Sequence, residues 1–305
     1  MNLDALIPAA DAGMPWPILD LAAAIEHEPP PLDFVLPGLV AGTVGAIVAP
    51  GATGKSWLAL ELLALVAARV DLLGLGSVPQ GRAVALAAED PARALHQRVH
   101  ALAQHLTPAA REDFKENAIV SPCLGLAGDL LDGGETATRI EHVAAGARLV
   151  VLDTLSRWHT GEENDRRDAA RVMRALERVA ARTGAAIIFL HHTSKAAALE
   201  GRGDAQQASR GSSVFVDEAR WVGFLQTMRE DEAKTHGVMA DQRRSFVRYG
   251  ISKANYCAPQ LDIWLRRESG GVLVRHELRS PPQPRRKAGR AAQQLQSEGD
   301  DYADF

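Results

Sequence analysis

Ala49-Pro50-Gly51-Ala52-Thr53-Gly54-Lys55-Ser56 stands directly after an apolar run of strand length, Val44 to Ala49, and directly before a helical pattern running from Ser56 to Val70. A glycine-bearing turn between a strand and a helix aims successive backbone N–H groups at one point, and the positive end of the helix macrodipole faces the same point. A lysine and a serine closing the turn complete a phosphate-binding loop: the ammonium reaches the β and γ phosphates and the hydroxyl coordinates magnesium. Pro50, Gly51, Ala52, Thr53, Gly54, Lys55 and Ser56 are therefore read as the nucleotide cradle, with ATP and Mg2+ as the expected ligands. The pattern asks for glycine where this chain has Ala49, a small departure.

Outward from the loop, apolar strand-like runs at Ala83 to Ala88, Arg148 to Leu152 and Ala185 to Leu190 alternate with helical patterns at Pro91 to His105 and Arg166 to Arg182. Strands separated by helix-length crossovers pair in parallel, so the fold class is α/β, a mostly parallel twisted sheet flanked by helices. After Ser213 the residues Val214, Val216, Trp221 and Phe224, then Phe246 to Ile251 and Ile263 to Leu265, read as additional strands at the far edge of the same sheet. Residues 1–33 read as an arm, with Ile18, Leu21 and Ile25 at helical spacing before Pro29-Pro30-Pro31; 34–280 read as the core, and 281–305 as a flexible tail.

Three strand ends carry chemistry. Asp153 closes the run Leu149-Val150-Val151-Leu152, where a carboxylate at the carboxyl edge of a parallel sheet can hold magnesium; the competing reading is a carboxylate that only caps the next turn. Ala88-Glu89-Asp90-Pro91 ends another run. Asp90 is the expected N-cap, with Pro91 in the first helical position, which leaves Glu89 to orient and deprotonate an attacking water or to serve as a second capping carboxylate. His191 and His192 end the third. Neighbours on a strand point to opposite faces and no cysteine or histidine cluster accompanies them, so a metal site is not expected; one histidine can sense the γ phosphate, and satisfied, partly buried histidines are the alternative.

Composition narrows the class. With 46% hydrophobic residues in 305, the chain has enough apolar material for a sizeable core, and its net charge of −4 requires any nucleic-acid contact to be concentrated. The longest apolar runs, such as Leu62 to Ala68, are far short of a membrane span, and Asp4 and Asp11 near the N-terminus do not suit a secretory signal. Cys123 and Cys257 lie far apart without a partner motif. A cytoplasmic location is expected.

The strand ends, in this order, resemble the RecA-like ATPases. Ala41-Gly42-Thr43-Val44-Gly45-Ala46, the phosphate loop, Ala88-Glu89-Asp90-Pro91, Val151-Leu152-Asp153-Thr154-Leu155, Phe189-Leu190-His191-His192, Gln206 to Ser213 and Ser252-Lys253-Ala254-Asn255-Tyr256 are similar to the RepA hexameric replicative helicases of IncQ-type plasmids. That resemblance implies a ring of six subunits with ATP between neighbours, moving 5′ to 3′ on single-stranded DNA in plasmid or phage replication, in partnership with replication initiation proteins. It implies Glu89 as base, Asp153 as the Walker B carboxylate, His192 in place of a γ-phosphate-sensing glutamine, and Arg220 as an arginine finger supplied to the neighbouring subunit. On physical grounds Arg220 is equally well a surface ion-pair residue. Lys253 stands where relatives place a further cation acting on the neighbour's nucleotide, although Asn255 replaces the arginine that follows it there.

In RecA-like folds the strand is gripped by loops after the Walker B strand and the strand that follows it; here these carry Arg157, Arg166, Arg167, Lys195, Arg202 and Arg210. Trp158 and His159 are their only candidates for stacking on bases, so a backbone-tracking grip with little sequence preference is expected. The tip Asp300-Asp301-Tyr302-Ala303-Asp304-Phe305 reads as a solubilising tail, or as a recruiter of host replication proteins. A recombination or regulatory ATPase that binds DNA without unwinding it fits the same motifs.

Overall fold

The computed structural model describes residues 16–162, 165–192 and 214–278. Its elements are, in order, α1 (Leu21–Glu26), β1 (Phe34–Leu36), β2 (Leu39–Val40), β3 (Val44–Ala49), α2 (Lys55–Ala68), β4 (Arg82–Ala87), α3 (Ala92–Ala103), α4 (Pro108–Asn117), β5 (Ala118–Pro122), α5 (Glu135–Ala144), β6 (Ala147–Asp153), α6 (Arg166–Thr183), β7 (Ala186–His192), α7 (Val214–Glu218), β8 (Trp221–Thr227), α8 (Glu230–His236), β9 (Phe246–Ala254), β10 (Ile263–Arg267) and β11 (Leu273–Arg275).

Nine strands form one sheet in the order β11-β10-β9-β8-β3-β7-β6-β4-β5. From β8 to β5 every pairing is parallel, and β9, β10 and β11 extend the other edge antiparallel. The expected mostly parallel sheet with further edge strands is thus the observed one. Consecutive strands β3 and β4 are separated by β7 and β6, the kind of reversal that opens a crevice at the carboxyl ends of the strands.

Both faces are covered, as parallel sheets require. Along β7, Ala186, Ile188 and Leu190 enter one core with α2, while Ile187 and Phe189 enter the other with α5 and α6. Helix α2 is apolar around most of its circumference because α3, α4 and β11 close over the side that the sheet leaves free. Helix α6 shows the opposite pattern, a buried stripe of Ala169, Val172, Met173, Leu176 and Val179 with polar residues outside. Asp165 accepts from the N–H groups of Arg167 and Asp168 at its start, and Gly184 takes φ 71° at its end.

A short hairpin, β1–β2, is pinned to β8 by the Trp221 indole N–H, which donates to the Pro37 carbonyl at 3.0 Å. A Cβ at Gly45 would lie 2.9 Å from the Trp221 ring, so the glycine beneath it is a packing requirement.

Two expectations are corrected. Val214 to Glu218 is a helix, α7, because Phe215 and Val216 turn together into the core beside Phe189 and His191; alternation along a strand would have separated them. Asp90 is not an N-cap: Pro91 occupies that position, and the Asp90 carboxylate pairs with Arg98 one face along α3. Among the described residues of the arm there is one helix, α1, begun by the Asp20 side chain and with no buried residue. Lys195, Arg202, Arg210 and the acidic tip lie outside the described residues. Among the described residues no helix is long and apolar enough to cross a membrane.

Candidate nucleotide site

The loop leaving β3 turns back on itself before α2. Ala49 is the last residue of the strand, in register with His192 and fully buried, so a Cβ is tolerated where the motif has glycine. Ala52 and Gly54 take φ 61° and 114°, whereas a Cβ at Gly51 would meet nothing within 4 Å. Of the loop's two glycines, Gly54 is the one whose backbone conformation excludes an ordinary side chain. Thr53 Oγ1 donates to the Pro50 carbonyl at 2.8 Å and holds the turn closed.

Lys55 is 5% exposed, and its ammonium donates to the carbonyls of Ala49 at 2.9 Å and Pro50 at 3.2 Å. Its third contact, at 3.0 Å, is His192 Nδ1, which must accept; Nε2 then carries the proton and donates to Glu89 Oε1 at 3.3 Å. Three strand ends are thereby linked in one chain of polar contacts. Burial lowers the Lys55 pKa to about 8, against the opposing pull of Asp153 and Glu89.

Asp153 ends β6, also 5% exposed. Burial raises its pKa to about 6, opposed by a hydrogen bond from the Ser56 hydroxyl and reinforced by the neighbouring Glu89 and Asp90 charges. A hydroxyl and a desolvated carboxylate already in contact are a hard oxygen donor pair, which fits magnesium. Buried charges of both signs beside a phosphate-shaped loop are what a metal-bound polyphosphate neutralises.

The surrounding pocket, of about 280 Å³, is lined by loop residues together with Trp57, Glu89, Asp90, Arg98, His192 and Arg267. Lys55, Ser56, Glu89, Asp153 and His192 are therefore brought together. Arg98 and Arg267 were missed in the sequence. The Arg98 guanidinium lies over the Trp57 ring at 5.8 Å while pairing with Asp90, just before α3. Arg267 reaches in from the end of β10 and donates to the Thr53 carbonyl at 2.9 Å; nothing local in the sequence signals this.

Arg220 and Lys253 are not part of this pocket. Arg220 precedes β8 and its N–H donates to the Val44 carbonyl, at the start of β3, so the length of that strand, ~17 Å, separates it from the loop at the other end. Lys253, paired with Val222 across β9 and β8, lies at the same end and donates to the Asp217 carbonyl. Burial and the adjacent Arg220 charge lower its pKa.

Arg157, Arg166 and Arg167 are exposed at the carboxyl edge after β6. Trp158 and His159 are buried, at 5% and 9% exposure, and are not available to stack on bases.

Residues 15–198 match the model of the AAA domain family AAA_25, a segment that covers more than half of the chain and contains every member of the Lys55–His192–Glu89–Asp153 group. The chain belongs to the AAA domain family. Among solved structures this AAA domain is similar to the RadB recombinase, with 12% identity over 76% of this chain and 90% of that one at a TM-score of 0.48. Its last strands, β8 to β11, lie beyond the family match, although one of them supplies Arg267 to the pocket.

Proposed function

We propose that this ATPase-type domain is a replicative DNA helicase: a ring, hexameric by resemblance, that hydrolyses ATP between subunits and moves 5′ to 3′ along single-stranded DNA. The observation that carries the hydrolytic part is the hydrogen-bonded chain from Lys55 through His192 to Glu89. It couples the cation expected at the terminal phosphate to the carboxylate expected at the attacking water. Glu89 orients the water and takes its proton; His192, held by both neighbours, fixes the Glu89 carboxylate and reports whether Lys55 has moved to phosphate.

Ser56 and Asp153 would hold magnesium, which when bound would neutralise charge on the phosphate oxygens. Arg220, with Lys253 beside it, serves the neighbouring subunit. Their place at the opposite end of the sheet supports that reading, because neither can reach the pocket of its own chain. The exposed Arg157, Arg166 and Arg167 support contact with strand phosphates, and the burial of Trp158 and His159 favours a grip on the backbone over one on the bases.

The test is displacement of a labelled strand from forked duplexes bearing a 5′ or a 3′ tail, with the intact chain, Lys55→Ala and Glu89→Gln. A helicase displaces the strand only with a 5′ tail and only with Lys55 intact. Glu89→Gln is expected to bind ATP as the intact chain does while turnover falls ~100-fold or more. DNA-stimulated hydrolysis without displacement from either tail establishes instead a recombination or regulatory ATPase. Undiminished hydrolysis by Glu89→Gln removes the base assignment.

A further inference from the structure

In a chain of net charge −4, α6 carries six arginines against Asp168 and Glu177. Five of them, Arg167, Arg171, Arg174, Arg178 and Arg182, recur at intervals of four, three, four and four residues. That spacing puts them on the solvent face of a helix whose other face is buried, in a ridge of steps of about 4.5–6 Å.

Arg182 is answered by Glu141 at 3.2 Å, and Arg171 partly by Asp168 at 3.4 Å. Arg174 and Arg178 have no hydrogen-bond or carboxylate partner among the described residues. Together with Arg171 they line a cavity of about 540 Å³, walled on the opposite side by Leu130, Leu131 and the backbone of Gly133 and Gly134, and holding a single carboxylate, Glu177.

The wall of this cavity is tied to the segment that follows β6. Leu130 N–H donates to the Trp158 carbonyl at 2.7 Å, and Thr160 Oγ1 donates to Asp129 at 2.5 Å. The groove therefore begins where Arg157, Arg166 and Arg167 end and continues their charge along the helix.

We infer that the groove between α6 and the 129–134 loop is a binding track for the phosphodiester backbone of single-stranded nucleic acid. Three unpaired or weakly paired guanidiniums in a row suit consecutive phosphates: each offers a forked donor, and none spends a carboxylate on being buried. Apolar walls without an exposed aromatic ring leave nothing to stack on bases, so the contact reads charge and not sequence. The track rests on the nucleic-acid part of the proposed function and adds to it a site along the length of α6.

The test uses the full chain with a non-hydrolysable ATP analogue and fluorescence anisotropy of labelled oligothymidylate over a salt series. The variant joins Arg171→Gln, Arg174→Gln and Arg178→Gln, exposed positions where glutamine keeps the helix. A control neutralises as many charges elsewhere, at Arg82, Lys115 and Lys234. Expected are binding weakened about tenfold or more and a log–log salt slope shallower by about 2, since each single-strand phosphate contact contributes about 0.7. The control should stay near the intact protein, and fluorescent-nucleotide affinity should be unchanged in both. Intact affinity and slope in the triple variant overturn the track while leaving the proposed function standing. Failure of the intact chain itself to bind the oligonucleotide overturns the nucleic-acid reading and the track with it.

Discussion

Lys55 illustrates how much of a site one side chain can organise. Its three donors are satisfied by two carbonyls of its own loop and by His192, so a bound phosphate must take over those contacts, and His192 is released or redirected when it does. Arg267 is the cation without such a full set. Among the described residues its one hydrogen bond goes to the Thr53 carbonyl, and burial lowers its pKa against the pull of Glu61, yet its guanidinium lines the same pocket. Arg267→Ala is expected to weaken fluorescent ATP and ADP alike by roughly tenfold, the scale of one charge-assisted hydrogen bond, with Arg267→Lys recovering part of the loss. Equal nucleotide affinity in all three proteins would make Arg267 a strut for the loop and nothing more.

At the level of elements, β10 and β11 form a strap across α2, fastened by a carboxylate. Glu61 sits inside the helix, almost wholly buried, with Oε1 accepting from the Leu273 N–H and Oε2 without a partner among the described residues. Burial raises its pKa well above 4.5, opposed by the Leu273 hydrogen bond and Arg267. A folded state that holds this proton more tightly than the unfolded chain loses stability as pH rises through 4.5 and above. Glu61→Gln keeps the acceptor without the charge. It should therefore melt later than the intact protein in denaturant at pH 8, with the difference shrinking at pH 5; a pH-independent difference would show that the carboxyl does not titrate in the fold.

Of the strap only β10 was legible, as the short apolar run Ile263 to Leu265, and β11 was not read, because pairing partners in an edge hairpin leave no helical or crossover signature. The central parallel strands β3, β4, β6 and β7 were legible almost to the residue, since strands buried on both faces read as continuous apolar runs, whereas the half-buried edge strand β5 was not read. Helix α4 had its signal in Thr107-Pro108, a cap followed by proline at the first position, while α5 begins on Gly134 with no side-chain cap to announce it. Glu89, Asp153 and His192 could be read because each ends a strand. Arg98 and Arg267 could not be read the same way, because only packing brings a helix face and a distant hairpin to the loop.

In the whole molecule, the phosphate loop and the pair Arg220 and Lys253 occupy opposite ends of the same strands, a polarity that a head-to-tail assembly would close. Mixing makes the arrangement measurable. Chains with Lys55→Ala and chains with Arg220→Ala should each be inactive alone, whereas random co-assembly restores interfaces that carry one intact residue from each side, so ATP hydrolysis should return to about a quarter of the intact rate. No recovery in mixtures that demonstrably co-assemble would remove Arg220 from the neighbour's site.

The placement of β8 beside β3 bears on how the chain can be divided. Cut after residue 198, where the family match ends, the strand that launches the phosphate loop would become an edge, with the backbone groups that now pair with β8 left open. The apolar flank of α2 under β11 would be bared as well. A shortened gene product ending there should therefore stick to itself before it can bind anything. The segment that the family model matches is smaller than the sheet, whose last strand ends at Arg275.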